Sequence, residues 1–359
     1  MIVTMKNRLV QLRRFMSEHS LHGIVINKPE NRRYFSGFSG SAGMLFISED
    51  ENYLLTDFRY VEQAAMEAKL FEVSRYHANP YEVLAEIAKK NDCATIGFED
   101  DFVTYEMYTK LSEYMPSLNL FPVKLDALRK VKDRKEITAI KKAVEIADHA
   151  FSHILTFIKP GMSEQEVALE LEYYMGKLGA EKPAFDTIMA SGKRGAMPHG
   201  KASQKIIEFG DLVTMDFGAV YLGYHSDITR TICIGTATDW QREIYEVVLA
   251  AQLAGVQAVA PGKTGKDIDA ISRKIIVDAG FGEYFGHGLG HGLGLNIHEE
   301  PRLSQAAAET IIMENMVVTV EPGIYLPDQG GVRIEDTVLV SADGCQILTA
   351  SSKKLIEIK

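Results

Sequence analysis

Cysteine is scarce in this chain. Its 359 residues contain only Cys93, Cys233 and Cys345, far apart and odd in number, with no CxxC pair. That excludes a disulfide framework and a thiolate zinc site, and it makes a reducing cytoplasm the simplest setting. Long apolar runs are missing as well, so no membrane-spanning segment is expected. Positive charge is in deficit: 39 lysines and arginines face 49 aspartates and glutamates, a net charge of -10. Without a long basic stretch there is no footprint for nucleic acid, and small or peptide ligands fit better. GxxxxGK[ST] is absent too, and the one strongly Gly-rich segment offers no GxGxxG after a strand, which removes the ordinary phosphate cradles. The first residues, MIVTMKNRLVQLRRFMSEHSL, are basic at the start but lack an apolar core of secretory length. Leu9, Leu12 and Met16 recur at helical spacing and predict a first helix instead.

What is present is organisation in two parts. A composition of 46% hydrophobic and 25% charged residues suits a soluble protein of two ordinary domains. Up to about residue 124, apolar runs at Gly23 to Ile26, Met44 to Ile47 and Tyr53 to Thr56 alternate with amphipathic stretches, which predicts an α/β domain. Pro116, Pro122 and the charged LRKVKDRKE mark a crossing, placed near Lys124, so the expected domains are 1–124 and 125–359. Beyond it Ile137, Ile140, Val144, Ala147, Phe151, Ile154 and Ile158 form one apolar stripe of a long helix, stopped by Lys159-Pro160-Gly161.

The second part repeats itself. KPGMSEQEV, with Ser163 and Glu166 spaced as a capping box, matches APGKTGKDI, where Thr264 and Asp267 hold the same places. Each opens a helix that ends at a glycine, Gly179 or Gly280, and each follows an apolar helix, Gln241 to Val259 in the second copy. Then come two strand pairs of like design. LVTMDFG and VVTVEPG carry Asp216 and Glu321; HSDITRTICI and GVRIEDTVLV carry Asp227 and Glu335. Strand side chains alternate, so the acids can share an interior surface while Val213, Met215, Val318 and Val320 face away. A duplicated unit of this kind packs as two halves about a pseudo-twofold axis, with the acids at the seam. Four inward carboxylates repel one another unless a cation lies between them.

Between the strand pairs lies FGHGLGHGLGLNIHEEPR, with His287, His291 and His298 in twelve residues. Any one of these histidines, or any one of the acids taken alone, is ordinarily structural: a turn acid, a surface acid or half of a salt bridge. Their recurrence in matching places of a repeat is what points to a site. Hard oxygen donors with one imidazole suit Mn²⁺, Fe²⁺, Co²⁺ or Zn²⁺, and five such side chains can hold two ions.

VTMDFG with HSDITRT, GHGLGHGLG with NIHEEP, VTVEPGIY and GVRIEDT resemble, across the whole second half, the metallopeptidases of the methionine aminopeptidase, prolidase and aminopeptidase P superfamily. NRRYFSGFSGSAG and LLTDFRYVEQA are similar to the N-terminal domain shared by prolidases, aminopeptidases P and creatinases, which methionine aminopeptidases lack. The resemblance implies an α/β N-terminal domain followed by an α+β duplicated catalytic domain, the pita-bread fold. It implies metal ligands at Asp216, Asp227, His291, Glu321 and Glu335, pocket histidines at His199, His287 and His298, and two divalent ions, most simply Mn²⁺ with Co²⁺, Fe²⁺ or Zn²⁺ as alternatives. The implied activity is hydrolysis of an N-terminal Xaa-Pro bond in dipeptides or short peptides, with Glu321 as general base and acid and His298 donating to the oxyanion.

His287 would orient the substrate, and His199, on the Gly-containing SGKRGAMPHG loop, would close over the proline side as a lid. Tyr325 would line the pocket. Arg333 is expected to orient or neutralise Glu335, with Thr229 placed similarly beside Asp227. Arg302 is the candidate clamp for the carboxylate of a dipeptide substrate. A homodimer formed through the N-terminal domain is a further expectation from the resemblance. Two rivals stand beside this reading: a non-catalytic peptide-binding relative on the same scaffold, and a creatinase-like amidinohydrolase that works without tightly bound metal. The full set of five ligands argues against the first.

Overall fold

A computed structural model describes residues 2–359, which fall into two compact units, 2–129 and 130–359. In the first unit the helix Ile2–Glu18 buries Leu9, Leu12 and Met16, the three residues whose spacing predicts it. A six-stranded mixed sheet follows, ordered Glu72–Arg75, Asn52–Thr56, Met44–Ser48, Gly23–Ile26, Thr95–Glu99 and Asn119–Val123. Its central strands Met44–Ser48 and Gly23–Ile26 are buried along their whole length, because helices cover the sheet and leave no face for polar residues. The unit runs past Lys124. The turn Asp126–Arg129 is tied back into it: Lys28 Nζ lies 2.6 Å from Asp126 Oδ2, and the Tyr34 hydroxyl donates to Leu128 O at 2.9 Å.

The second unit opens with the long helix Arg134–Phe157, capped at its start by Asp133 and Glu136 in a reciprocal box. It packs on Glu164–Lys177, whose own box is Ser163 with Glu166. The pattern returns a hundred residues on. Asp239–Ala258 packs on Gly265–Asp278, which Thr264 and Asp267 cap. Both second helices stop at a glycine with positive φ, Gly179 at 100° and Gly280 at 85°, the left-handed geometry that ends helices at little steric cost.

Each helix pair covers one sheet. The first is ordered Glu357–Ile358, Ile228–Ile234, Leu212–Phe217, Ile188–Ser191; the second is ordered Glu299–Leu303, Gly290–Gly292, Val317–Val320, Asp336–Ser341, Gly344–Ile347. Two apolar cores result. Phe151, Leu171, Met215 and Ile232 belong to one, Val248, Ile268, Val318 and Val338 to the other.

Behind the strands that bear the acids sits a buried polar network. Arg230, 1% exposed, donates Nη2 to Asp336 Oδ1 at 2.8 Å and to Ser351 O at 2.8 Å, and its Nη1 donates to the Glu335 carbonyl. Asp336, fully buried, also accepts from Thr349 Oγ1 at 2.6 Å, Gln252 Nε2 at 2.9 Å and Lys353 Nζ at 2.6 Å. Burial opposes its charge, yet Arg230 and Lys353 hold the carboxyl below its ordinary range. Asp336→Asn should therefore cost about 3–5 kcal/mol in urea unfolding near neutral pH, the usual loss when one member of a buried ion network is removed. A carboxylate depressed in the folded state contributes stability above its unfolded value and loses it as the pH falls through the folded one. The gap between wild type and variant should accordingly close on acidification; a gap unchanged at low pH would contradict the assignment.

Candidate active site

The acids converge where the two halves meet. Leu212–Phe217 pairs antiparallel with Ile228–Ile234, with Asp216 opposite Thr229, and Asp227 sits one residue before the second strand. In the other half Val320 pairs with Asp336, which leaves Glu321 just beyond the end of one strand and Glu335 just before the start of the other. A hydrogen bond crosses the seam from Glu335 N to Thr229 O at 3.1 Å. His291 arrives on Gly290–Gly292, between Val317–Val320 and Glu299–Leu303. Its flanking glycines are sterically required: a Cβ on Gly290 would lie 2.1 Å from Thr319 O, and one on Gly292 would lie 2.4 Å from Glu300 O. Close backbone packing thus accounts for the density of glycine around this histidine.

One carboxylate oxygen each from Asp216, Asp227 and Glu335 lies within 4.8 Å of the others. His291 Nε2 is 3.5 Å from Asp227 Oδ2 and 3.3 Å from Glu321 Oε1, so the five predicted ligands form one cluster. Asp216 Oδ1, Asp227 Oδ1 and Glu335 Oε1 are buried and have no hydrogen-bond partner. Buried carboxylate oxygens without donors are costly, and three of them in one place fit a divalent cation rather than a protein partner. Burial, followed by repulsion from Glu335, Asp216 and Glu321, pushes the Asp227 carboxyl well above its ordinary range. Burial, then Glu321 and Asp216, raise Glu335, and burial lifts Glu321 to about 8 although Arg333 opposes it. Burial drives His291 down to about 3, with His298 adding to the shift, so its imidazole is neutral and free to ligate.

The polar partners cross the seam differently from the sequence expectation. Arg333 makes its direct ion pair with Asp216 and acts on Glu335 only through its charge. Its Nη2 lies 2.6 Å from Asp216 Oδ2 in the other half, its Nε donates to Thr229 Oγ1 at 3.0 Å, and Nη1 donates to the Tyr325 hydroxyl at 2.8 Å. Thr229 serves Glu335 rather than Asp227, donating to Oε2 at 2.7 Å. The swap follows from the packing of Gly330–Arg333 across Ile228–Ile234, where Arg333 N donates to Thr231 Oγ1.

Above the cluster the cavity has two lobes that share His199, Asp216, His291, His298 and Glu321. One, of 290 Å³, is the more polar of the two and is lined also by His287, Arg302, Ser304, Tyr325 and Arg333. The other, of 340 Å³, adds Phe185, Ile188 and Ile297 as an apolar wall, with Asp186 and Lys201 beside them. The structure therefore gathers all the sequence-predicted site residues around one cavity or directly beneath it. His287 Nε2 is 2.9 Å from the Tyr325 hydroxyl, and the His298 ring meets His291 edge-on with centroids 4.4 Å apart. Burial lowers His287 to about 4; burial and then Arg302 lower His298. Arg302 is exposed and pairs with His291 across adjacent strands.

The loop bearing His199, expected to swing as a lid, is fastened at several points. Buried Glu164 pairs with Arg194, Arg333 Nη1 donates to Pro198 O at 3.2 Å, and Gly195 sits so close to Gly331 that a Cβ would meet its nitrogen at 3.0 Å. The apolar wall and Thr319, which donates to Glu321 Oε1 at 3.2 Å and accepts from His291 N at 3.0 Å, escaped the sequence reading. Neither carries a local signal, since an apolar residue facing a cavity reads like one facing a core.

Comparison with known proteins agrees with this geometry. Residues 138–342 match the model of metallopeptidase family M24, and residues 8–131 match the creatinase/prolidase N-terminal domain. A Xaa-Pro dipeptidase of Pyrococcus furiosus is 46% identical, the alignment covering 98% of this chain and 100% of that protein. Among solved structures, a Xaa-Pro dipeptidase from Bacillus anthracis superposes with a TM-score of 0.96 at 45% identity, over 98% of this chain and 99% of that one. An X-Pro aminopeptidase from Thermotoga maritima does so with a TM-score of 0.89 at 40% identity, over 94% and 98%.

Acids whose folded pKa is raised make the metal-free protein lose stability as the pH climbs from the unfolded value, near 4.5 for Glu321, through the folded one, about 8. A bound divalent ion replaces the protons and removes this penalty. The EDTA-treated protein should unfold at a lower temperature at pH 9 than at pH 6, and the Mn²⁺-loaded protein should not show that drop. Equal pH dependence of the two forms would count against a cation site.

Proposed function

The chain belongs to metallopeptidase family M24, and from that premise we propose that it hydrolyses the bond between an N-terminal residue and proline in dipeptides or short peptides. The observation that carries the reading is the set of three partnerless buried carboxylate oxygens, joined by His291 and Glu321 beneath a two-lobed cavity. Asp216, Asp227, His291, Glu321 and Glu335 would hold two divalent ions, with Mn²⁺ the simplest occupant for a set of hard oxygens and one imidazole. Bound there, the ions would supply Lewis acidity, polarising the scissile carbonyl and bringing the pKa of the attacking water toward neutrality.

The remaining work falls to the chain's own side chains. Glu321, with its carboxylate on the cavity floor and Thr319 donating to one oxygen, takes the proton of the attacking water and delivers it to the proline nitrogen as the bond breaks. An amide nitrogen leaves only as the protonated amine, so delivery of a proton is what makes the proline nitrogen a leaving group. His298 donates to the oxygen that becomes negative, a bond made mainly in the transition state. The apolar lobe with Phe185, Ile188 and Ile297 suits the N-terminal side chain; the polar lobe with His199, His287 and Tyr325 suits the proline. Arg302, exposed at the rim of the polar lobe, has the planar donor fork that a free carboxylate one residue past the scissile bond requires.

Three free cysteines favour a reducing compartment, the cytoplasm, and among the described residues no helix is long and apolar enough to cross a membrane. A homodimer through residues 2–129 is proposed on the likeness of residues 8–131 to the creatinase/prolidase N-terminal domain.

The test is hydrolysis of Ala-Pro beside Ala-Pro-Ala by metal-stripped protein, with and without added Mn²⁺. Metal-dependent cleavage of Ala-Pro is the expected result, and metal-loaded protein that cleaves neither peptide would turn the reading toward a binding protein. Arg302→Ala should raise KM for Ala-Pro at least tenfold while changing KM for Ala-Pro-Ala by less than threefold. An equal change for both peptides would remove Arg302 from the carboxylate.

A further inference from the structure

Besides the Arg230–Asp336 network, three ion pairs with a buried acid stand outside the acid cluster, each tied to the segment that carries a different pocket histidine. Glu164, fully buried at the start of its helix, clasps both ends of the segment that carries His199. One oxygen accepts from Ser191 N at 2.8 Å and Ser191 Oγ at 2.9 Å, the other from Ser203 N at 3.1 Å and Ser203 Oγ at 2.7 Å. Arg194 pairs with Glu164 and donates to Lys201 O at 2.8 Å, spanning the same loop from inside.

Asp269, fully buried in the helix Gly265–Asp278, binds Arg273 through both oxygens at 2.7 and 2.9 Å and accepts from Leu289 N at 3.0 Å. Arg273 in turn donates to the carbonyls of Phe285 at 2.8 Å and His287 at 2.7 Å. The backbone on either side of His287 is thereby held to one helix.

Glu299 follows His298 directly. Its side chain, 2% exposed, accepts from Lys132 Nζ at 3.0 Å and from Asn296 N at 3.0 Å; that of Lys132 is 1% exposed.

A buried ion pair adds little to stability compared with well-packed apolar residues of the same volume, so stability alone is a weak reason for three of them. Fixing a loop to a rigid element is a stronger one, since a displacement of about 1 Å at a catalytic group can cost on the order of a hundredfold in rate.

We propose that Glu164–Arg194, Asp269–Arg273 and Glu299–Lys132 are positioning pairs, each setting the reach of one pocket histidine: His199, His287 and His298 respectively. The consequence for turnover rests on the Xaa-Pro hydrolase reading above, whereas the effect on the histidines themselves does not. None of the hydrogen bonds named for the three pairs ends on a metal-ligand side chain, so metal binding and histidine placement can be read separately.

The experiment uses full-length protein loaded with Zn²⁺, which is diamagnetic, and labelled with ring-¹⁵N histidine, the three pocket signals being assigned with His199→Gln, His287→Gln and His298→Gln. The variants are Glu164→Gln, Arg273→Met and Lys132→Met. Stripping one partner from a buried pair can unfold a protein, so the charge-free double variant Lys132→Met with Glu299→Gln is made as well, together with Lys132→Arg. Each folded variant should move the ring signals of its own histidine and leave the other two within a linewidth. With Mn²⁺ it should lower kcat for Ala-Pro at least tenfold, with KM within threefold. The double variant should melt near wild type yet keep the His298 shift and the low kcat, and Lys132→Arg should restore both.

A double variant with wild-type kcat and spectrum would overturn the proposal, as would variants that move all three histidines together. If wild-type protein cleaves no Xaa-Pro peptide, the reading of its function fails while the ring spectra still decide the positioning.

Discussion

Four carboxylates and one neutral imidazole pressed into a buried seam are the constraint on which the rest of the structure depends. A cluster of like charges away from water is unfavourable, and the protein answers only part of it. Arg333 neutralises Asp216, and Thr229 and Thr319 each give a hydroxyl hydrogen to another acid. The unmet remainder is concentrated in three oxygens. Everything behind the seam resists the resulting repulsion: strands buried on both faces, two helix pairs and the Arg230–Asp336 network that grips the Glu335 backbone. The family likeness and the geometry thus have a common physical root, a scaffold stable enough to hold an arrangement that disfavours itself.

Duplication explains how such a scaffold is made. One helix pair with one acid-bearing strand pair cannot shield two carboxylates from water, but two copies set face to face supply the missing wall for each other. The halves have diverged where their tasks differ. Only the second carries the Gly-His strand, and only the first leads into the loop with His199. The three pocket histidines reach a common cavity from separate loops, so each arrives with its own means of support.

Much of this was legible in the sequence because it is local. Capping residues, the apolar stripe of the long helix, the terminating glycines and the strand runs of the first unit declare themselves within a few residues of where they act. The acids were legible because a repeat doubles a weak signal. Partners across the seam were not: Arg333 stands two residues from Glu335 in sequence and yet binds Asp216, because side chains on crossing strands meet by packing and not by order. Lys132 and Glu299, 167 residues apart, lie in stretches that read as solvated charge until the fold buries them. The first unit extends past Lys124 for a similar reason, since Lys28 and Tyr34 reclaim the turn that follows.

The two lobes, 290 and 340 Å³, have a consequence beyond recognition. Their combined volume admits a few residues of extended peptide, and no folded chain can thread a terminus to the acids unless that terminus is already loose. A peptidase of this shape is harmless to its folded neighbours by size alone, so it needs neither a zymogen form nor a dedicated inhibitor to be kept active among them.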